Sequence, residues 1–212
     1  MGVMASEKDF QGKLAVCWSC KGPVDAAAFF CETCGAIQPP HAADHFARLG
    51  LERSFDIDAD ELQKRYFALQ AKLHPDRFAN RSARERAASL AQTTTLNEAY
   101  HALRRPLERA AYLLKLAGLE PATESSGTVD DPGLLMESLE RREALAAAQT
   151  TDEAGQVLGE AERDTESCIS GLSAAFAAND LKEAARLTTR LKYLNKLSEE
   201  ARGRMARLRE RA

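Results

Sequence analysis

Residues 62–78 read LQKRYFALQAKLHPDRF, an amphipathic helical pattern that runs into a His-Pro-Asp turn. Four apolar side chains recur at helical spacing and share one face: Leu62, Tyr66, Leu69 and Leu73. Pro75 forces the preceding residue out of helical geometry, so we expect this helix to end at or before His74. Asp58 followed by Glu61 has the pattern of a capping box and predicts that the helix begins near residue 60.

Further helices are predicted on the C-terminal side of this turn. Ser82 and Glu85 form a second capping-box pattern, which begins a helix that extends to about Arg104. Pro106 suits the first turn of a third helix, over residues 107–116. Apolar stripes then predict a bundle of three helices, over residues 133–148, 152–178 and 181–211.

The composition narrows the classes of function. Charged residues make up 29% of the 212 residues and hydrophobic residues 44%, which suffices for a buried core. The net charge of −3 gives no global attraction to nucleic acid or to an anionic membrane. We find no apolar run long enough for a membrane helix and no secretory signal, so a cytoplasmic location is expected, or the mitochondrial matrix if a targeting segment has been removed.

Four cysteines near the N-terminus form two Cys-x-x-Cys pairs, Cys17 with Cys20 and Cys31 with Cys34. In a reducing compartment this pattern predicts one structural zinc ion per chain, because two such turns supply four thiolates to one tetrahedral ion. Iron is the main rival on ligand type, and a pair of disulfides is the other alternative. Four thiolates leave no open coordination position for catalysis.

Details of this segment add three expectations. Glycine follows each pair, at Gly22 and Gly35, where it would let backbone N–H groups turn toward the sulfurs. Trp18 is interpreted as a lid on the metal site. We expect the effect of the metal to stay local to this segment, so that a Cys31→Ser change would unfold it and leave the helices intact.

The chain is therefore predicted to be all-α apart from a small metal-binding knuckle module. It divides into a tetracysteine domain at 10–40, helices at 42–118, a linker at 119–132 and a three-helix bundle at 133–212. Cys168 lies on an apolar stripe of the bundle, and we interpret it as a small buried hydrophobic residue.

The His-Pro-Asp tripeptide does not indicate an enzyme. The sequence places no second group of His, Cys or carboxylate residues beside His74, and proline fixes a backbone without tuning a pKa. Such a loop offers a rigid, exposed tip at the end of a partly basic helix, which suits docking on an acidic protein surface. An ordinary turn between two helices is the alternative.

The motifs together resemble a known family. Residues 62–78 are similar to a J-domain, and residues 44–51, 96–103 and 106–114 are similar to the corresponding segments of the HscB family, J-type co-chaperones of iron–sulfur cluster biogenesis. Residues 134–143 resemble the C-terminal domain of that family. The resemblance covers about residues 42–212, and the tetracysteine segment resembles an extra N-terminal domain of the eukaryotic members.

The resemblance implies two partners and no organic cofactor. A DnaK/HscA-type ATPase chaperone would be bound, and its ATPase stimulated, by His74, Pro75, Asp76, Lys64, Arg65, Lys72 and Arg77. An IscU-type cluster scaffold would be bound by Leu135, Met136, Leu139, Glu140, Glu143 and Tyr193. Without the resemblance, the apolar members of the second group would be interpreted as part of the bundle core, since apolar residues at helical spacing are usually core.

Two other functions remain open at this point. A zinc-ribbon adaptor that binds nucleic acid or another protein complex is the first, but residues 17–38 contain Lys21 as their only basic residue. A Cys-x-x-Cys oxidoreductase is the second, and it requires reactive, metal-free thiols. We therefore expect a non-enzymatic co-chaperone that binds neither nucleic acid nor membrane.

Overall fold

The computed structural model describes residues 14–119 and 131–210 and divides into two compact units. The first comprises the described residues up to Glu52 together with Asp58–Leu103. The second comprises Arg53–Ile57 and the described residues from Arg104 onward. No helix within the described ranges combines the length and the apolarity needed to cross a membrane.

Seven helices and one small sheet form these units in the described ranges. In chain order they are β1 (Leu14–Val16), β2 (Pro23–Asp25), α1 (His45–Arg48), α2 (Ala59–Leu73), α3 (Ala83–Arg104), α4 (Pro106–Leu116), α5 (Pro132–Ala147), α6 (Thr151–Ala177) and α7 (Leu181–Arg209), with a 3₁₀ turn over Pro75–Phe78. β1 and β2 pair antiparallel, with Ala15 opposite Val24. The predicted fold class is confirmed, and most of the predicted linker at 119–132 lies outside the described residues.

The helices of the first unit begin where the sequence predicts. The Asp58 carboxylate accepts hydrogen bonds from the N–H groups of Asp60 and Glu61, which caps α2. The reciprocal bond of a capping box belongs to α3, where the Glu85 carboxylate accepts from the Ser82 N–H and hydroxyl at 3.0 and 2.8 Å. These bonds satisfy N–H groups that a helix N-terminus leaves without partners.

Buried polar side chains connect the tetracysteine head, residues 14–38, to the helices of the first unit. The Gln92 side chain of α3 donates to the Gln38 carbonyl at 3.0 Å and accepts from the Arg48 guanidinium at 3.0 Å. Gln92 is 0% exposed, Gln38 6% and Arg48 7%. Because buried polar groups stabilise a fold only when they are paired, this chain of hydrogen bonds makes the head part of the unit.

The second unit is built on α6 and α7, which pack along their length and hold α4 and α5 against them. Its core includes Leu172 and Leu191 and also Phe55, whose ring stacks on Phe176 with centroids 5.3 Å apart. Cys168 is 1% exposed and burial raises the pKa of its thiol, which confirms the interpretation as a small buried hydrophobic residue. Helix α4 therefore groups with the C-terminal helices and not with α2 and α3.

Candidate metal centre and docking surfaces

The four cysteines of the head converge as one group. Their Sγ atoms all lie within 4.8 Å of one another, with 3.7 Å between Cys17 and Cys34 and 3.8 Å between Cys20 and Cys31. Thiolates at a metal–sulfur distance of about 2.3 Å stand about 3.8 Å apart on the edges of a tetrahedron. The residues present therefore fit a tetrahedral divalent ion, which they could bind without change of backbone, and no pair is close enough for a disulfide.

Backbone turns hold the sulfurs in place, and one of them differs from the sequence prediction. The residue after each pair adopts a left-handed backbone, with φ +63° at Lys21 and +71° at Gly35. In the first turn that residue is therefore a lysine, not the predicted glycine. Gly22 follows it, and a Cβ added there would lie 3.4 Å from the Cys20 sulfur. Gly22 thus matters for its small size next to the metal site and not for its φ.

A second layer of hydrogen bonds surrounds the metal site. Burial raises the pKa of the Cys17 thiol, but N–H groups of Cys20 and Ser19 outweigh this and bring the pKa to about 6. The Gln38 side chain donates to the Cys17 sulfur at 3.4 Å. The Trp18 indole packs on the cysteine cluster and donates to the Ile37 carbonyl at 2.7 Å, as expected for a lid. These donors favour the thiolate, which is the form that binds a metal.

The His-Pro-Asp tripeptide lies at the C-terminal end of α2. His74 and Asp76 are exposed, and the His74 imidazole accepts a hydrogen bond from the Asp76 N–H at 3.3 Å. The turn is anchored below by Phe78, which is 8% exposed. The tripeptide is thus a surface tip on a fixed base, with both polar side chains accessible to a partner.

Two side chains that the sequence analysis missed fix the base of this tip. Because α2 ends at Leu73 and proline has no N–H, the Leu73 carbonyl has no helical partner. The hydroxyls of Ser89 and Thr93 in α3 donate to it at 2.6 and 3.2 Å. Their spacing of four residues on α3 is the only sequence signal, and it is indistinguishable from an ordinary polar position.

We predict that Ser89→Ala reduces the maximal ATPase stimulation of a DnaK/HscA-type chaperone several-fold. The change removes one of the two donors to the Leu73 carbonyl and costs about 1–3 kcal/mol of stability, since the site is buried. Thr94→Ala is the matched control, because the Thr94 hydroxyl bonds only within α3, to the Leu90 carbonyl. Equal stimulation by both variants at saturating concentration would show that Ser89 has no role in positioning the tip.

The basic residues predicted to contact the chaperone fall into two groups. Lys64, Lys72 and Arg77 are exposed. Arg65 is half-buried, because its guanidinium forms an ion pair with Glu61 at 2.7 Å and donates to the Gly50 carbonyl. Gly50 has φ +66°, and a Cβ there would lie 2.9 Å from the Arg65 guanidinium. The structure therefore gives Arg65 a role in fixing the loop after α1, in addition to its predicted role in docking.

The predicted scaffold-binding residues of α5 lie on its outer face. Leu135, Met136 and Leu139 are 39%, 58% and 54% exposed, and Glu140 and Glu143 are exposed beside them. The inner face of α5 carries Leu134 and Leu145, which are buried. The alternative that the three exposed residues widen the bundle core is therefore wrong. They form an apolar patch with an acidic rim, which is typical of a protein-docking surface.

The structure places Tyr193 apart from this patch. Tyr193 is half-buried on α7 and lines a cleft with Leu134 and Glu137 of α5. In the same cleft the Glu137 carboxylate pairs with Arg190 at 2.7 Å and with Arg141 at 2.9 Å. This charged cluster fixes α5 against α7, so that the outer face of α5 is presented in one orientation.

Comparison with known families gives two matches along the chain. A model described as the DnaJ domain matches residues 44–112. A model described as the HSCB C-terminal oligomerisation domain matches residues 130–202.

Similar proteins carry corresponding names. The mouse protein named iron-sulfur cluster co-chaperone protein HscB is 34% identical over 187 residues, covering 86% of this chain and 80% of its own length. A co-chaperone protein HscB homolog from Neisseria meningitidis is 35% identical, covering 74% of this chain and 96% of its own length. The crystal structure of human co-chaperone protein HscB superposes with a TM-score of 0.84 at 33% identity, covering 89% of this chain and 97% of that one.

Proposed function

The chain belongs to the HscB family of iron–sulfur cluster co-chaperones, and on that premise we propose that it binds an IscU-type cluster scaffold and delivers it to a DnaK/HscA-type ATPase chaperone. The observation that carries the proposal is the presence of two exposed docking surfaces, one in each compact unit. The exposed His-Pro-Asp tip lies in the first, and the apolar patch of α5 lies in the second.

The first surface is proposed to stimulate the ATPase of the chaperone. His74, Pro75 and Asp76 would make the direct contacts, and Lys64, Lys72 and Arg77 would attract an acidic surface on the partner. Exposed charges of this kind raise the association rate more than they raise the affinity. The chain itself would carry out no chemistry in this role.

The second surface is proposed to bind the scaffold. An apolar patch with an acidic rim gains affinity from desolvation of its centre and orientation from the charges around it. Leu135, Met136 and Leu139 would form the centre, and Glu140 and Glu143 the rim. Tyr193 stays a predicted contact at the neighbouring cleft.

The tetracysteine head is proposed to hold one zinc ion with Cys17, Cys20, Cys31 and Cys34 as ligands. A four-thiolate cage with hydrogen bonds to its sulfurs is closed to substrates, which favours a structural role. Thiolate ligands need a reducing compartment, and a cytoplasmic location is proposed on that ground.

We predict that replacing Leu135, Met136 and Leu139 together by Ala weakens scaffold binding by well over tenfold. Buried interface anchors are typically worth about 2 kcal/mol each, and about 1.4 kcal/mol corresponds to a factor of ten. The melting temperature should change little, because all three side chains are exposed in the free protein. Titration with the purified scaffold and a melting curve on the same variant test this.

Leu90→Ala is the matched control. Leu90 is an exposed apolar residue of α3, 60% exposed, and belongs to the first unit. Its replacement should leave scaffold affinity unchanged. Wild-type affinity of the triple variant, or the same loss in the control, would contradict the assignment of the patch.

A further inference from the structure

An open groove separates the tetracysteine head from the end of α2 within the first unit. Its lining includes Trp18, Ser19, Phe30, Lys72, Arg77 and Arg81. The head contributes the first three of these, and the helix end and the turn after the His-Pro-Asp tripeptide contribute the others. The head and the proposed chaperone-binding tip therefore border one continuous surface.

This groove is basic, although the chain as a whole has a net charge of −3. Lys72, Arg77 and Arg81 are exposed, and among the described residues none of them forms an ion pair with a carboxylate. Glu85 also lines the groove, but its carboxylate is bound by the N–H and the hydroxyl of Ser82. Much of its capacity to accept further donors is thus already used by the cap of α3.

The metal site alone does not account for these cations. A divalent ion with four thiolates carries a net charge of about −2, and Cys34 lines the groove. Arg84 already lies over the Trp18 ring, 4.6 Å from its centroid, and so contributes a further positive charge at the head. With Arg84 counted, the cations exceed the charge of the metal site and Glu85 together. The surplus is exposed to solvent and available to an acidic partner.

We propose that this groove binds an acidic segment of the same ATPase chaperone, so that the tetracysteine head forms part of the chaperone-docking surface. The inference rests on the proposed function and extends it to a part of the chain outside the J-domain match. Lys72 and Arg77 belong both to the docking residues and to the groove, so a chaperone bound at His74 would reach the groove. Trp18 and Phe30 are half-buried there and offer an aromatic base, a common feature of interface hot spots.

Arg81→Glu tests the proposal, because Arg81 is exposed and lies outside the His-Pro-Asp tripeptide. We expect this charge reversal to weaken binding of an ATP-bound DnaK/HscA-type chaperone about tenfold at low ionic strength, and less at high salt. Metal content and melting temperature should stay at wild-type values. Arg207→Glu makes the same charge change at an exposed position of α7 and should leave affinity unchanged. Equal affinities of Arg81→Glu, Arg207→Glu and wild type would overturn the proposal.

A photo-crosslinking residue provides a second measurement that needs no change of charge. Placed at Ser19, which lines the groove, it should crosslink to the chaperone in the ATP-bound state. Placed at Val16, an exposed position of the same head that is 69% exposed and outside the groove lining, it should not. Crosslinks from both positions, or from neither, would contradict the proposal. If His74→Gln abolishes stimulation while Ser19 and Arg81 show no effect, this inference fails and the proposed function stands.

Discussion

His74→Gln is expected to abolish stimulation of the partner ATPase, with a loss of roughly 30- to 1000-fold in stimulation efficiency. Central anchors of interfaces are worth about 2–4 kcal/mol, and His74 is the exposed ring at the tip of a turn that Pro75 and the Leu73 contacts fix in place. Glutamine keeps a polar side chain but cannot reproduce the imidazole on that backbone. Steady-state ATP hydrolysis by a cognate chaperone, with and without scaffold, measures the effect.

His101→Gln is the matched control for this experiment. His101 is also exposed, but it lies within α3, away from the tip in sequence. It should stimulate like wild type, and both variants should keep the wild-type melting curve and scaffold affinity. Full stimulation by His74→Gln would remove the basis for assigning the first surface to the ATPase chaperone.

Cys31→Ser is expected to remove the metal and to destabilise the helices of the first unit together with the head. Bound zinc can contribute on the order of 10 kcal/mol to the folding of a small four-ligand site, as much as the whole stability of many domains. The sequence alone predicts that this loss stays within the head. The structure changes that expectation, because an unfolded head withdraws the Gln38 carbonyl from Gln92 and the buried Arg48.

Hydrogen exchange of α3 near Gln92 and elemental analysis of the purified variant measure both effects. Loss of a buried hydrogen bond costs about 1–3 kcal/mol, which lowers the melting temperature of a domain of this size by about 5–15 °C. Cys168→Ser is the matched control, since Cys168 lies in the second unit and its replacement should leave the metal bound. Unchanged exchange in α3 of a metal-free Cys31→Ser variant would show that the metal acts locally. Iron in place of zinc in wild-type protein would refute the zinc assignment.

The helices and the metal ligands could be predicted from the sequence because their signals are local. Capping residues such as Ser82 with Glu85, and proline at the start of α4, mark helix ends within a few positions. The two Cys-x-x-Cys turns likewise place four ligands without reference to the rest of the chain. Family resemblance, and not helical spacing, identified Leu135, Met136 and Leu139 as surface residues.

Contacts between distant segments could not be predicted in the same way. Gln38 and Gln92 are 54 positions apart, and neither residue type indicates burial. Ser89 resembles an ordinary polar residue of a helix until the end of α2 is placed beside it. The membership of α4 in the second unit was missed for the same reason, because its apolar face fits either neighbour equally well as a pattern.

The buried pairing of Gln92 with Gln38 implies that the head and the helices of this chain have co-evolved. An amide at position 92 is useful here because a carbonyl of the head and the Arg48 guanidinium both need it. In a relative built without a tetracysteine head, the carbonyl is absent and selection for glutamine at that position is relaxed. A leucine that is neutral in such a relative would be costly here, since it would remove a bond from each of two buried polar groups. Transplanting this head onto another J-domain would therefore require positions 48 and 92 to be transferred with it.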